Sequence, residues 1–246
     1  MASAPSAFVR ILTNILRPLL YKCVLIYLDD ILIFSRNVAD HLRDVAAIFD
    51  LLRKAGLQVK LSKCEFGKDS VPYLDHVVTV TGIRPNPNTV KAVVKLIAQN
   101  KDLDGEVLVS NVALLRTLLG KLGYYRKFIR NFSHIAHPLT RLTKLDVPWE
   151  CGAEHRDALD KLLKRLIEKP ILAYAMTNKP FKVFTDAYNY GIVAVLAQDQ
   201  SGKGKTGEWE VVIAYASRHL SESEIKYSTV EKEALAIVYA LDTFHC

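Results

Sequence analysis

The sequence predicts an α+β fold in which an apolar hairpin and short strands give way to basic helices and then to a second, sheet-based region. Three observations carry this. Two apolar runs, residues 23–27 and 31–34, flank an acidic turn, the pattern of a hairpin. From about residue 88 to 129 the apolar spacing is helical. Residues 181–185, 190–198 and 210–217 then read as strands ahead of a capped helix.

The elements follow in order. Phe8, Ile11, Ile15 and Leu19 recur at helical spacing, so residues 5–20 read as an amphipathic helix rather than an Arg10/Arg17 transit peptide. After the hairpin, residues 41–55 place Leu42, Val45, Ala46, Phe49 and Leu52 on one face, with Gly56 set to stop the helix. Residues 57–61 and 73–80 read as strands, and Pro85 and Pro87 as a boundary. Helices are expected at 88–99, from an Asn111 cap to about 129, and at 157–168, with a polar loop at 99–110. Ser228 and Glu231 form a capping box for a helix over residues 229–244.

Half of the 246 residues are hydrophobic and the formal charge is +7. A sizeable core and a polyanionic partner both fit that composition. The charge is concentrated: residues 82–150 hold eleven Lys or Arg against five acids, and seven bases lie between Arg116 and Lys144 with no acid. Phosphate contact explains such a run better than a solvated face, which would carry both signs. The four cysteines form no C-x-x-C pair, so neither a zinc site nor a disulfide framework is indicated, and an intracellular compartment is the default. No apolar run reaches the length of a membrane span, so no membrane partner is expected. His137, His155 and His219 lack ligand spacing and read as surface or packing residues. Gly202-Lys203-Gly204-Lys205 reads as a basic turn, not a phosphate loop.

Two carboxylate constellations carry chemistry. Asp29 and Asp30 sit side by side at the tip of an apolar hairpin with no cation in either strand. Such a pair is either an ordinary polar turn or a holder of Mg²⁺, which prefers carboxylate oxygens. Asp186 closes a strand and Glu233 lies in the capped helix, on a face with Ala236, Ile237 and Ala240. Glu231 is taken by the cap.

The ordered series Ala4-Pro5-Ser6-Ala7-Phe8, Tyr27-Leu28-Asp29-Asp30-Ile31-Leu32, Leu52-Arg53-Lys54-Ala55-Gly56-Leu57 and Leu119-Gly120-Lys121-Leu122-Gly123-Tyr124-Tyr125-Arg126 resembles reverse transcriptases of gypsy-type LTR retrotransposons. Thr185-Asp186-Ala187 and Tyr227-Ser228-Thr229-Val230-Glu231-Lys232-Glu233 resemble the ribonuclease H domain that follows. The resemblance implies a palm remnant at 1–80, a helical thumb at 81–146, a connection at 147–180 and a truncated ribonuclease H-like α/β domain at 181–246. It implies catalytic, metal-holding roles for Asp29, Asp30, Asp186 and Glu233, with Mg²⁺ or Mn²⁺ as cofactor. Nucleic acid would be met by Pro5, Tyr27, Leu28, Arg116, Gly120, Tyr124, Arg126, Lys127 and Arg130. Arg116, Gly120 and Tyr124 share one helix face, where glycine admits close approach. The implied partners are an RNA template, a DNA primer, RNA–DNA hybrid, deoxynucleoside triphosphates and the rest of a Pol polyprotein, in a cytoplasmic particle or the nucleus.

Departures from the family pattern accompany the likeness. Asp75 stands where glycine is usual, Tyr188 and Val193 replace a small polar residue and a glycine, and loop 99–110 is longer and more acidic. The expectation is a piece lacking some catalytic acids at each site, and so a poor catalyst by itself. The competing reading is a retroelement-derived nucleic-acid-binding protein without catalysis.

Overall fold

The computed structural model describes residues 4–98, 111–168, 171–200 and 210–245. The polar loop and the Gly/Lys turn read from the sequence lie outside those residues. The chain divides into two compact units, Met1–Asp69 and Ser70–Cys246.

The first unit packs helix α1 (Ala4–Leu16) and helix α2 (Val38–Lys54) on the hairpin β1 (Val24–Tyr27) and β2 (Asp30–Ile33). Its core is Leu12, Leu16, Val24, Ile48 and Leu52. The expected faces are met in part, with Leu52 in the core and Ile15, Leu19 and Phe49 packed against it. Ile11 and Leu42 are exposed, and Leu12, Leu16 and Ile48 take the buried positions. Asn37 caps α2 by accepting from Asp40 N–H at 2.8 Å. At the other end Gly56 has φ +71, Gly56 N–H meets Arg53 O at 3.0 Å and Leu57 N–H meets Leu52 O at 3.0 Å. That is the Schellman arrangement that glycine permits without steric cost. Residues 57–60 are not a strand as expected; they pair with nothing among the described residues, and Leu61–Lys63 is a 3₁₀ turn.

In the second unit the expected strand 73–80 is a hairpin, β3 (Ser70–Tyr73) and β4 (His76–Thr79), because Leu74 and Asp75 both adopt left-handed conformations, φ 52 and 57. Two positive φ values in a two-residue loop make a type I′ turn. β5 (Ile83–Pro85) completes this sheet in the order β3-β4-β5 and ends at the boundary read at Pro85 and Pro87. Helices α3 (Pro87–Ala98), α4 (Val112–Tyr124), α5 (Phe132–Leu142) and α6 (Ala153–Ile167) follow. Asn111 caps α4 through Leu114 N–H at 2.9 Å. The helix ends five residues before the expected limit, where its last turn tightens into a 3₁₀ turn at Arg126–Phe128.

The sheet β6 (Phe181–Tyr188), β7 (Gly191–Asp199) and β8 (Glu210–His219) is an antiparallel meander. Helix α7 (Thr229–Phe244) covers one face and α5 packs on the other. Residues 171–174 stitch the two sheets together. Leu172 exchanges backbone bonds with Ile83 at 2.9 Å each way, Ala173 N–H reaches Val212 O at 2.8 Å, and Tyr174 Oη reaches Thr79 O at 2.9 Å. Gly82 is required there, since a Cβ would lie 2.2 Å from Leu172 O. The fully buried Gln198 accepts from Met176 N–H at 2.9 Å and donates to Met176 O and Lys179 O. Its amide is thereby satisfied, and it fastens the segment before β6 to β7.

Candidate functional site

The first candidate site is the tip of the β1–β2 hairpin. Tyr27 and Asp30 are the last paired residues, leaving Leu28 and Asp29 as a two-residue loop. Leu28 has φ +53, and Asp29 is not among the positive-φ residues. That fits a type II′ turn, whose first position favours glycine. A leucine there costs about 1–2 kcal/mol, and strain of this kind collects at functional sites. Tyr27, Leu28, Asp29 and Asp30 are all exposed. Neither carboxylate has a hydrogen bond or ion pair among the described residues. Two adjacent carboxylates open to solvent suit Mg²⁺, which takes one or two protein carboxylates and completes its shell with water and phosphate oxygens. No group of three or more His, Cys, Asp or Glu close enough to share a metal occurs among the described residues.

The basic helices divide into residues that face outward and residues the fold already uses. The side chains of Arg126 and Arg130 are exposed and have no hydrogen-bond or ion-pair partner among the described residues. Arg116 is exposed, but one guanidinium nitrogen donates to Thr143 O at 2.8 Å and ties α4 to the end of α5. Lys127 is half-buried beside the Phe128 ring, 5.4 Å from its centroid, and burial holds its amine below the usual lysine range. It is therefore less available to phosphate than its neighbours. Gly120 lies mid-helix, and a Cβ there would meet nothing within 4 Å. The fold gives no steric reason for a residue that costs about 1 kcal/mol relative to alanine. Pro5 lies in the first turn of α1.

Tyr124 is half exposed, yet its hydroxyl donates to Leu74 O at 3.0 Å. This belongs to a cluster the sequence reading missed, built on the Leu74–Asp75 turn. The buried Tyr125 donates to Asp75 O at 3.0 Å, Thr89 Oγ1 donates to Asp75 Oδ1 at 3.3 Å, and His76 Nδ1–H donates to Leu74 O at 2.5 Å. His76 packs against Tyr124, Tyr125 and Phe128 with ring centroids 5.4–5.9 Å away. Burial lowers the histidine's pKa and Lys127 adds to the effect. Its Nε2 is buried without a partner among the described residues. A usable signal was present in Tyr73-Leu74-Asp75-His76, a polar residue within an apolar run, since aspartate tolerates the left-handed region better than most residues.

The second carboxylate pair sits on β6 and α7, which pack against each other. Along β6, Ala187 packs with Ile192, Leu220, Leu235, Ala236 and Tyr239, the α7 side of the sheet. Tyr188 turns to α5, where its hydroxyl meets Ser133 Oγ at 2.7 Å and its ring meets His134. Successive strand residues alternate faces, so Asp186 lies on the α5 side with Tyr188. Its register partners Val193 and Ser217 agree, for Ser217 Oγ accepts from Ser133 N–H at 3.0 Å. Glu233 is half-buried on α7, three residues before the buried Ala236. Of the expected helix face Ala236 and Ala240 are buried and Ile237 is exposed, while Leu235 and Tyr239 also turn to the sheet. The capping box forms as read, with Ser228 N–H donating to Glu231 Oε2 at 2.8 Å. His137 stacks on Tyr190 with centroids 4.5 Å apart and touches His219, a packing role as expected.

Comparison with known proteins matches two families. Residues 1–78 match reverse transcriptase (RNA-dependent DNA polymerase), and residues 151–246 match the RNase H-like domain found in reverse transcriptase. The chain is 41% identical, over 99% of its length, to the Retrovirus-related Pol polyprotein from transposon 297 of Drosophila melanogaster. It is 35% identical, over 98%, to that from transposon gypsy of the same species. The chain spans 21% and 22% of those relatives' lengths. In fold it is similar to the foamy viral protease-reverse transcriptase in complex with an RNA/DNA hybrid, with a TM-score of 0.76, 23% identity, and coverage of 97% of this chain and 30% of that one. A second structure of that enzyme, in complex with double-stranded DNA, gives a TM-score of 0.78 at 24% identity, covering 97% of this chain and 39% of that one.

Proposed function

Because the chain belongs to the retrotransposon Pol polyproteins, as a segment with reverse transcriptase and ribonuclease H-like parts, we propose that it serves in RNA-directed DNA synthesis with Asp29 and Asp30 holding the divalent ion. The observation that carries this reading is the exposed, unpartnered pair of carboxylates on a strained two-residue turn. Mg²⁺, or Mn²⁺ in its stead, supplies charge neutralisation at the phosphates. The chain's own part is to present the two carboxylates at a fixed spacing, with Tyr27 and Leu28 flanking them. The backbone of the hairpin ladder makes the presentation rigid.

The same reading gives α4 and the turn after it to the duplex of RNA template and DNA primer. Bare Gly120 permits close approach, the outward Arg126 and Arg130 meet phosphates, and Arg116 keeps donors free beyond its bond to Thr143. Tyr124 acts chiefly by holding the Leu74–Asp75 turn. Deoxynucleoside triphosphates and the rest of the Pol polyprotein complete the partners, in a cytoplasmic particle or the nucleus.

Hybrid cleavage by Asp186 and Glu233 rests on their sequence motifs alone. The alternation of β6 sends Asp186 away from the α7 face, which argues against one metal shared by this pair. For the C-terminal part this favours the second reading, binding without cleavage. The test is primer extension by the Pol polyprotein that contains this chain. Asp29→Asn and Asp30→Asn each suppress extension while hybrid affinity stays within about two-fold, since neither replaces a phosphate-contacting cation. Full extension by either variant would place the metal elsewhere.

A further inference from the structure

A groove of about 410 Å³ opens between α3 and α6, lined by none of the residues given a catalytic or nucleic-acid-binding role above. Its floor is aliphatic, built from Val90 and Val94 of α3 and Leu166 and Ile167 of α6, and Ile167 is 49% exposed. Its rim carries Arg84, Lys91 and Lys95, and no acid lines it among the described residues. Arg84 Nε is buried and meets no acceptor among the described residues. A charged donor left in that state is costly, and a carboxylate brought to the guanidinium offsets the cost through charge-assisted hydrogen bonds.

We propose that this groove docks an acidic, amphipathic helix of a protein partner, aliphatic side chains on the floor and carboxylates against Arg84, Lys91 and Lys95. The volume falls within the range of about 300–1,000 Å³ typical of ligand cavities and admits several aliphatic side chains. A trough between two helices is the setting in which an amphipathic helix is recognised through residues at i, i+3, i+4 and i+7. Nucleic acid is the poorer fit. Among the described residues no aromatic side chain lines the groove to stack on a base, and phosphates gain nothing from a valine and leucine floor. Helix docking here does not depend on the polymerase reading, since it uses neither Asp29 nor Asp30.

The test is fluorescence anisotropy on the intact chain with a labelled helical peptide carrying leucines at i, i+3, i+4 and i+7 and glutamates on both flanks. The peptide binds saturably, and replacing its glutamates with lysines weakens binding at least about ten-fold. Lys91→Glu with Lys95→Glu weakens it by a similar factor; both residues are exposed, so the fold is retained. Val94→Asp abolishes binding, with circular dichroism confirming a folded chain. Affinity unchanged by the lysine pair would overturn the proposal. So would displacement of the peptide by an RNA–DNA hybrid, or a concentration-dependent dimer that Val94→Asp dissociates, which would give the groove to a second copy.

Discussion

The two carboxylate pairs of this chain are built on different principles. Asp29 and Asp30 are neighbours whose relation is set by one two-residue turn and its ladder. Asp186 and Glu233 come from a strand and a helix, and their meeting depends on strand parity and on how the helix lies. The first pair needs only local structure to form. The second can be undone by a change of face, and the side given to Asp186 by Ala187 and Tyr188 is the one away from α7. A local motif therefore transfers its geometry with its sequence, whereas a remote pair transfers only its residue types.

The largest expected effect separates the two pairs. In the intact polyprotein, Asp29→Asn lowers primer extension by about 10²–10³-fold, the scale of losing one group that stabilises developing charge. Asp186→Asn leaves extension unchanged. A comparable loss from both would mean that the pairs are not independent.

Next in size is the effect on hybrid binding. Arg126→Glu with Arg130→Glu reduces the salt dependence of affinity by roughly 0.9 for each phosphate no longer neutralised. Lys127→Glu changes the slope less and stability more, because its amine is half-buried beside Phe128. Equal slopes for all three replacements would show that Lys127 reaches phosphate after all.

How much of this was legible in the sequence follows the same division. The hairpin, the Asn111 cap, the Schellman end at Gly56 and the Ser228–Glu231 box were readable because each depends on residues within nine positions. On α1 and α2 the expected Ile15, Leu19, Phe49 and Leu52 reach the core, whereas Ile11 and Leu42, as apolar as the residues that are buried, do not. The Leu74–Asp75 turn was missed because its restraints come from Tyr124 and Tyr125, fifty residues away. Residues 57–60 are β-like in composition, yet composition supplies no partner strand. Asp186 could be named, but not its direction, because parity is counted from neighbours that only the packed sheet identifies.

Smaller effects probe the turn. Tyr125→Phe removes a part-buried hydrogen bond to Asp75 O and costs about 1 kcal/mol in urea unfolding. Tyr124→Phe costs less, because water can replace an exposed bond. Leu28→Gly relieves left-handed strain and raises stability by up to about 1 kcal/mol, a gain reduced by the entropy glycine adds to the unfolded chain. A loss on Leu28→Gly would show that the leucine packs rather than strains.

The smallest is the acid limb of stability. The Arg218 guanidinium, bonded to Glu224 at 2.7 and 3.0 Å, and the Ser221 N–H bring the Glu224 carboxyl down to about 2 from an ordinary 4.5. A depressed folded-state value means that this stabilisation is complete above the unfolded value and is lost as pH falls through the folded one. His76, also depressed, loses its contribution as pH falls below its ordinary 6.5. Glu224→Gln therefore flattens melting temperature against pH below 4.5, and His76→Phe flattens it at higher pH, both read by thermal melts.

The most direct test of the contrast between the pairs is paramagnetic broadening of amide signals as Mn²⁺ is added to the isotopically labelled chain. Signals at Leu28–Ile31 are expected to broaden first, Asp29→Asn with Asp30→Asn to remove this, and Asp186 and Glu233 to respond only at higher metal and not as a pair. Joint broadening of Asp186 and Glu233 at the lowest Mn²⁺, with the hairpin tip unaffected, would contradict that contrast.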